Sequence, residues 1–137
     1  MNRVQDQQPK VMALRLYFPT RSRAAATRFW HRLSAPALAQ HLLAAAKRAH
    51  VQQALLYQVA SGFLKGERVT HHHIDVSDMR HPQCLELIDT EMQLRAFMHE
   101  HAHELHKVRA VLFLCEESLT DHAGFAAHRF PTQGDIA

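Results

Sequence analysis

The stretch Val11-Met12-Ala13-Leu14-Arg15-Leu16-Tyr17-Phe18 alternates without a fault, with Met12, Leu14, Leu16 and Phe18 on one side and Val11, Ala13, Arg15 and Tyr17 on the other. Successive side chains of an extended chain point to opposite faces, so this pattern predicts a strand with one face in a core. Pro19 ends it. Apolar patterning predicts three further strands, at Ala54 to Ala60, Gln83 to Ile88 and Arg109 to Cys115. Between the first two, Leu38, Leu42, Ala45 and Ala49 fall on one helical stripe, with Ser34 and Pro36 as cap and first turn, and the helix is expected to reach about His50. A second helix is expected after Asp89 or Thr90, either of which can cap it, with Glu91 favourable in the first turn. Its buried stripe reads Leu94, Phe97, Met98, His101 and Leu105.

The resulting order is strand, helix, strand, long loop, strand, helix, strand. It predicts an α+β, ferredoxin-like βαββαβ fold, a four-stranded antiparallel sheet with both helices on one face. The fourth strand carries Leu112 and Leu114 on one side and Val111, Phe113 and Cys115 on the other. A strand apolar on both faces wants cover on both, and with no third helix at hand another subunit is the expected cover. Glu86 falls on the outer face beside Arg15, as expected of a structural ion pair.

A chain of 137 residues supplies one core. Residues 1–10 are expected as a polar N-terminal tail, 11–115 as the domain, and 116–137 as a C-terminal tail or docked extension, because Gly124, Pro131 and Gly134 lie there without periodicity. Hydrophobic residues at 47% against 21% charged exclude a disordered chain. No apolar run approaches the ~20 residues that cross a bilayer, and the glutamine-rich start does not resemble a signal peptide; a cytoplasmic location is the expectation. Cys84 and Cys115 have no CxxC spacing, so neither disulfides nor a zinc knuckle is expected. A formal charge of +3 without a basic run gives no reason to expect nucleic acid.

Gly62-Phe63-Leu64-Lys65-Gly66-Glu67-Arg68 is the first candidate site. Its two glycines permit a concave nest of N–H groups for an anion. Lys65 and Arg68 add positive charge, and Phe63 offers a flat ring for a base. The plain alternative is a bulged hairpin shoulder with solvated charges. The connection from about Phe63 to Pro82 is long enough to be functional or disordered. Within it His71, His72 and His73 form a candidate Zn²⁺ or Ni²⁺ site, with Asp75 or Asp78 needed to help. His99, His103 and His106 share a helical face, best read as solvated, and the stretch lacks the HExxH arrangement of a metalloprotease. No catalytic set stands out, neither GxSxG nor a phosphate-binding GxxxxGK[ST]. The expectation is a binding protein rather than an enzyme, with no covalently bound cofactor.

The order of Leu14-Arg15-Leu16-Tyr17, Trp30-His31, Ser61-Gly62-Phe63 with Gly66, and Ile88-Asp89-Thr90-Glu91 resembles the PII-like signalling proteins, in their uncharacterised branch, over about Val11 to Cys115. That resemblance implies a homotrimer with ligand clefts between subunits, and a T-loop between the second and third strands that docks on a partner, often a membrane transporter or channel. It implies an adenine nucleotide effector (ADP, AMP or ATP), with bicarbonate in some relatives, and places Lys107 and Arg109 near phosphates. Three departures stand out. The linker before the first helix is long and arginine-rich, the tail after Cys115 is extra, and His106-Lys107-Val108 runs into the fourth strand where true PII proteins have a glycine-rich phosphate loop. The rival readings are a histidine-rich PII-like protein of metal homeostasis and a purely structural trimer capping a larger assembly.

Overall fold

The structure is a computed structural model, and it describes residues 9–22, 37–72 and 80–116. The expected cap at Ser34 and Pro36, Trp30-His31, His73, Asp75, Asp78 and the extension beyond Glu116 lie outside those residues. The elements in order are β1 (Val11–Pro19), α1 (Leu38–Arg48), β2 (Gln53–Gln58), β3 (Ser61–Gly62), β4 (Thr70–His71), β5 (Pro82–Thr90), α2 (Glu91–Glu100), α3 (Ala102–Leu105) and β6 (Arg109–Leu114).

Four strands form one antiparallel sheet in the order β2-β5-β1-β6, and β3 and β4 make a separate two-stranded hairpin. This mixed sheet-and-helix architecture is consistent with a ferredoxin-type fold, with the small hairpin inserted between β2 and β5. Leu14, Leu16 and Phe18 of β1 meet Leu85 and Leu87 of β5 in the core, under Leu38, Leu42, Ala45 and Ala46 of α1 and Leu94 and Phe97 of α2. Both helices therefore cover the same sheet face, and the alternation of β1 sets which face that is.

Several boundaries differ from the expectation for physical reasons. β5 is longer than Gln83 to Ile88: Pro82 lies opposite Pro19 at the sheet's end, and Asp89 and Thr90 still pair with Met12 and Val11. The buried Asp89 carboxylate accepts from the Gln52 backbone N–H at 3.1 Å, the Gln52 side-chain amide at 3.3 Å and the Thr90 N–H at 2.7 Å. A residue normally excluded from strands thus ties the start of β2 to the end of β5. Capping falls to Thr90, whose hydroxyl accepts from the Gln93 N–H at 3.3 Å.

The second strand stops at Gln58 instead of reaching Ala60, because the chain turns there into the hairpin. The expected structureless loop is partly ordered for the same reason. The second helix breaks at His101, which closes α2 and precedes the short α3. α1 starts at Leu38 behind Ala37 without a side-chain cap. It ends with His50 at φ 57°, where the Val51 N–H reaches the Ala46 carbonyl at 3.1 Å and the His50 N–H that of Lys47 at 3.2 Å. This is a Schellman closure with histidine in the place that glycine usually takes.

Candidate functional site

The hairpin shoulder comes first. Gly62 is not a free loop glycine but a ladder residue of β3, opposite Thr70 of β4. A Cβ there would meet Val59 Cγ1 at 3.3 Å, a tight contact, and Pro82 Cγ at 3.7 Å, an ordinary one, so a side chain would ask Val59 to give by a few tenths of an ångström. Gly66 alone has the positive φ that favours glycine, +83°, in a turn closed by the Glu67 N–H on the Leu64 carbonyl at 3.0 Å. The nest expected from two glycines therefore narrows to the turn at Lys65-Gly66. Lys65 and Arg68 are exposed on either side of it, and Phe63 is 62% exposed.

Lys107 and Arg109 are exposed as well. Arg109 pairs with Tyr17 near the end of β1, and Gln58, the last residue of β2, pairs with Gln83 near the start of β5. The two basic groups thus stand at one end of the sheet but on its opposite edges. Three strand spacings separate those edges, about 14 Å. The structure does not bring the seven candidate ligand residues into one pocket within a single chain.

The sheet face that neither helix covers among the described residues carries a polar centre in an apolar field. Glu86, 7% exposed, accepts from Arg15 Nε at 2.6 Å and from the Tyr57 hydroxyl at 3.3 Å. The Arg15 guanidinium lies 5.0 Å from the Phe113 ring centroid, over its face, a favourable cation–π placement. Leu55, Tyr57 and Val111 of this face are 44%, 45% and 36% exposed. The expected Arg15–Glu86 pair is present. Glu86 holds Arg15 firmly protonated; the Tyr57 hydroxyl is held above its ordinary pKa by the Glu86 charge first, then by burial and by its hydrogen bond to Glu86. Burial pushes up the Cys84 thiol, which makes it a poor nucleophile.

The Tyr57 shift has a sign that can be checked. An acid whose folded pKa is raised contributes stability that is complete below the unfolded value of ~10 and is lost as pH rises through the folded value. On a Tyr17→Phe background, tyrosinate absorbance is expected to appear above that ordinary value, and Glu86→Gln is expected to bring it down. An unchanged titration in Glu86→Gln would remove Glu86 as the cause.

Of the candidate loop histidines, His71 and His72 are described and His73 lies outside the described residues. His71 Nδ1 is 2.8 Å from Ser61 Oγ, and the His72 and His81 rings lie 5.7 Å apart. His103 and His106 stack at 6.1 Å, with the His106 ring against the His103 carbonyl at 2.7 Å, while His99 belongs to the preceding helix. Among the described residues, the three side chains whose ligand atoms all lie within 4.8 Å of one another are His41, His101 and Glu104. Sequence reasoning placed His101 on the buried stripe and missed both partners. A half-buried His41 beside Leu38 and Leu42 was the available signal.

His81 was also missed. It is 4% exposed, with Nδ1 2.6 Å from Thr70 Oγ1 and Nε2 bonded to the Val59 carbonyl. A carbonyl only accepts, so Nε2 carries the proton, and in the neutral ring Nδ1 accepts from the Thr70 hydroxyl.

No protein-family model matches the chain, and no curated protein does. Among solved structures, the chain is similar to CPII, a nitrogen regulatory PII-like protein from Thiomonas intermedia K12, bound to ADP, AMP and bicarbonate. Identity is 12% and the TM-score 0.46, over 77% of this chain and 83% of that one. It is also similar to an amidase of the hydantoinase/carbamoylase family from Burkholderia phymatum, at 15% identity and a TM-score of 0.32, over 79% of this chain and 28% of that one. No helix among the described residues is long and apolar enough to cross a membrane.

Proposed function

We propose that the chain is a PII-like regulator, a binding protein that senses an adenine nucleotide and, with it, bicarbonate. The observation that carries this reading is the split of the candidate ligand residues between opposite edges at one end of the sheet. Such a site closes only when the β2 edge of one chain meets the β6 edge of another. The exposed Leu55, Tyr57 and Val111 on the uncovered face give an apolar surface for that association. In this reading a homotrimer builds three clefts. Each takes Phe63, Lys65, Gly66 and Arg68 from one subunit and Lys107 and Arg109 from its neighbour, with Gly62 giving the hairpin room to present them. Ligand binding biases the connection between β2 and β5 toward or away from docking on a partner, a transporter or channel in the PII-like pattern.

The nucleotide is the first thing to test. A charge-assisted contact is worth roughly 1.5–3 kcal/mol, so losing one weakens binding about ten- to a hundredfold at ~1.4 kcal/mol per decade. ADP, AMP or ATP is expected to raise the melting temperature, with Lys65→Ala and Arg68→Ala each reducing that shift. Bicarbonate is expected to change nucleotide affinity, and the nucleotide must change bicarbonate affinity by the same factor. A melting temperature that no adenine nucleotide moves at millimolar concentration would sink the nucleotide reading.

A further inference from the structure

We infer that His41, His101 and Glu104 form a binding site for a zinc-like divalent transition metal that clamps α1 to the α2–α3 junction. The three residues converge because of how the helices pack. His41 follows Leu38 by three positions in α1, beside the buried stripe that joins the core. His101 follows Phe97 by four, and its ring lies 4.5 Å from the Phe97 ring. Glu104 reaches back from α3 with His101 Nδ1 at 2.9 Å from one carboxylate oxygen and His41 Nε2 at 2.9 Å from the other. The three side chains are only 28%, 13% and 15% exposed for His41, His101 and Glu104. The donors are therefore held in place, and His41 leaves a way in from solvent.

Two imidazoles and one carboxylate are a donor set that suits zinc and leave a fourth position open. The ligand atoms all lie within 4.8 Å of one another. A tetrahedral ion with bonds of ~2.0–2.1 Å needs donor separations of about 3.3 Å, so closure takes a side-chain adjustment of roughly one ångström without a change of fold. Without metal, both imidazoles donate to Glu104, which places protons on His41 Nε2 and His101 Nδ1. On metal entry each neutral ring moves its proton to the other nitrogen, and the freed lone pair takes the ion. None of His41, His101 and Glu104 is among the residues proposed for the nucleotide cleft, although Glu104 precedes Lys107 by only three positions, and the inference does not depend on that reading.

The test is titration of the full chain with Co²⁺, read by visible absorption and checked by competition with Zn²⁺. One saturable equivalent per chain with the strong bands of four- or five-coordinate Co²⁺ is expected. Partners that only orient metal ligands already cost roughly 10–100-fold in affinity. His41→Gln and Glu104→Gln, which remove ligands themselves, are therefore expected to weaken binding by at least about tenfold. Replacing His71, His72 and His73 together with asparagine is expected to leave it unchanged. Weak, octahedral-type absorption, or binding that survives both single substitutions and disappears with the triple one, would overturn the site. Should a single variant fail to fold, amide line broadening by Co²⁺ in the unaltered protein decides. Resonances around His41 and His101 must broaden before those of Thr70 to His72, and the reverse order refutes the inference.

Discussion

Leu55→Lys is expected to leave a folded monomer in place of the proposed trimer. Leu55 lies directly opposite Glu86 in the β2–β5 pairing, on the face that the helices leave bare, and it is 44% exposed in the single chain. Lysine there loses little that the isolated fold needs, and it gains a cross-strand carboxylate, a pairing worth roughly 0.2–1 kcal/mol. In a trimer closed over this face the same lysine does two kinds of harm. It removes an apolar side chain whose full burial contributes roughly 1.5–3 kcal/mol, and it places an ammonium where water is excluded, at an effective penalty of several kcal/mol. Each subunit carries the change, so the penalties repeat three times per assembly. Light scattering is expected to give a trimer for the unaltered chain and a monomer for Leu55→Lys, with the circular dichroism spectrum unchanged and the melt lowered by the lost association. A monomeric unaltered protein, or a variant that stays trimeric, would remove the association and with it any cleft shared between subunits.

What the sequence made legible follows from the range of the forces involved. β1 was read to within a residue because an alternation over eight positions is a local pattern with one structural solution, and the outward Arg15 then located its partner Glu86. The stripe Leu94-Phe97 was legible for the same reason. β5 was read short because Asp89 was a candidate cap for the following helix, whereas its carboxylate is satisfied by Gln52, 37 residues away in sequence. The hairpin of β3 and β4 is only two residues on each side, too short for any periodicity. His41 and Glu104 met through the packing of two helices, which residue spacing does not encode. The two glycines of the candidate nest differ in a way that their spacing does not tell: Gly66 has the positive φ that favours glycine, whereas Gly62 sits in the hairpin ladder with Val59 close by.

His81→Ala is expected to loosen the base of the inserted hairpin while leaving the main sheet in place. His81 lies between the hairpin and the sheet, just before Pro82 opens β5, and it joins Thr70 of β4 to the carbonyl of Val59, the residue after β2. Thr70 is itself 1% exposed. Alanine removes the ring from between them and leaves the buried Thr70 hydroxyl without that partner, at about 1–3 kcal/mol for a buried group, and frees a part-buried carbonyl at lesser cost. Thr70 retains only a longer contact to the Gly62 carbonyl at 3.4 Å. The His72 N–H, bonded to the Ala60 carbonyl at 2.8 Å, reports on this closure directly. Its hydrogen-exchange protection is expected to fall at least roughly tenfold, since ~1.4 kcal/mol corresponds to one decade. The amides of Leu85 and Leu87 in the central strand β5 are expected to change far less, because local opening need not involve the core. His81→Gln, which keeps a donor for Val59 and an acceptor for Thr70, is expected to recover part of the loss. An equal drop at His72, Leu85 and Leu87 would make His81 a support of the whole fold. No drop at His72 would mean that the ladder between Ser61-Gly62 and Thr70-His71 holds the hairpin unaided.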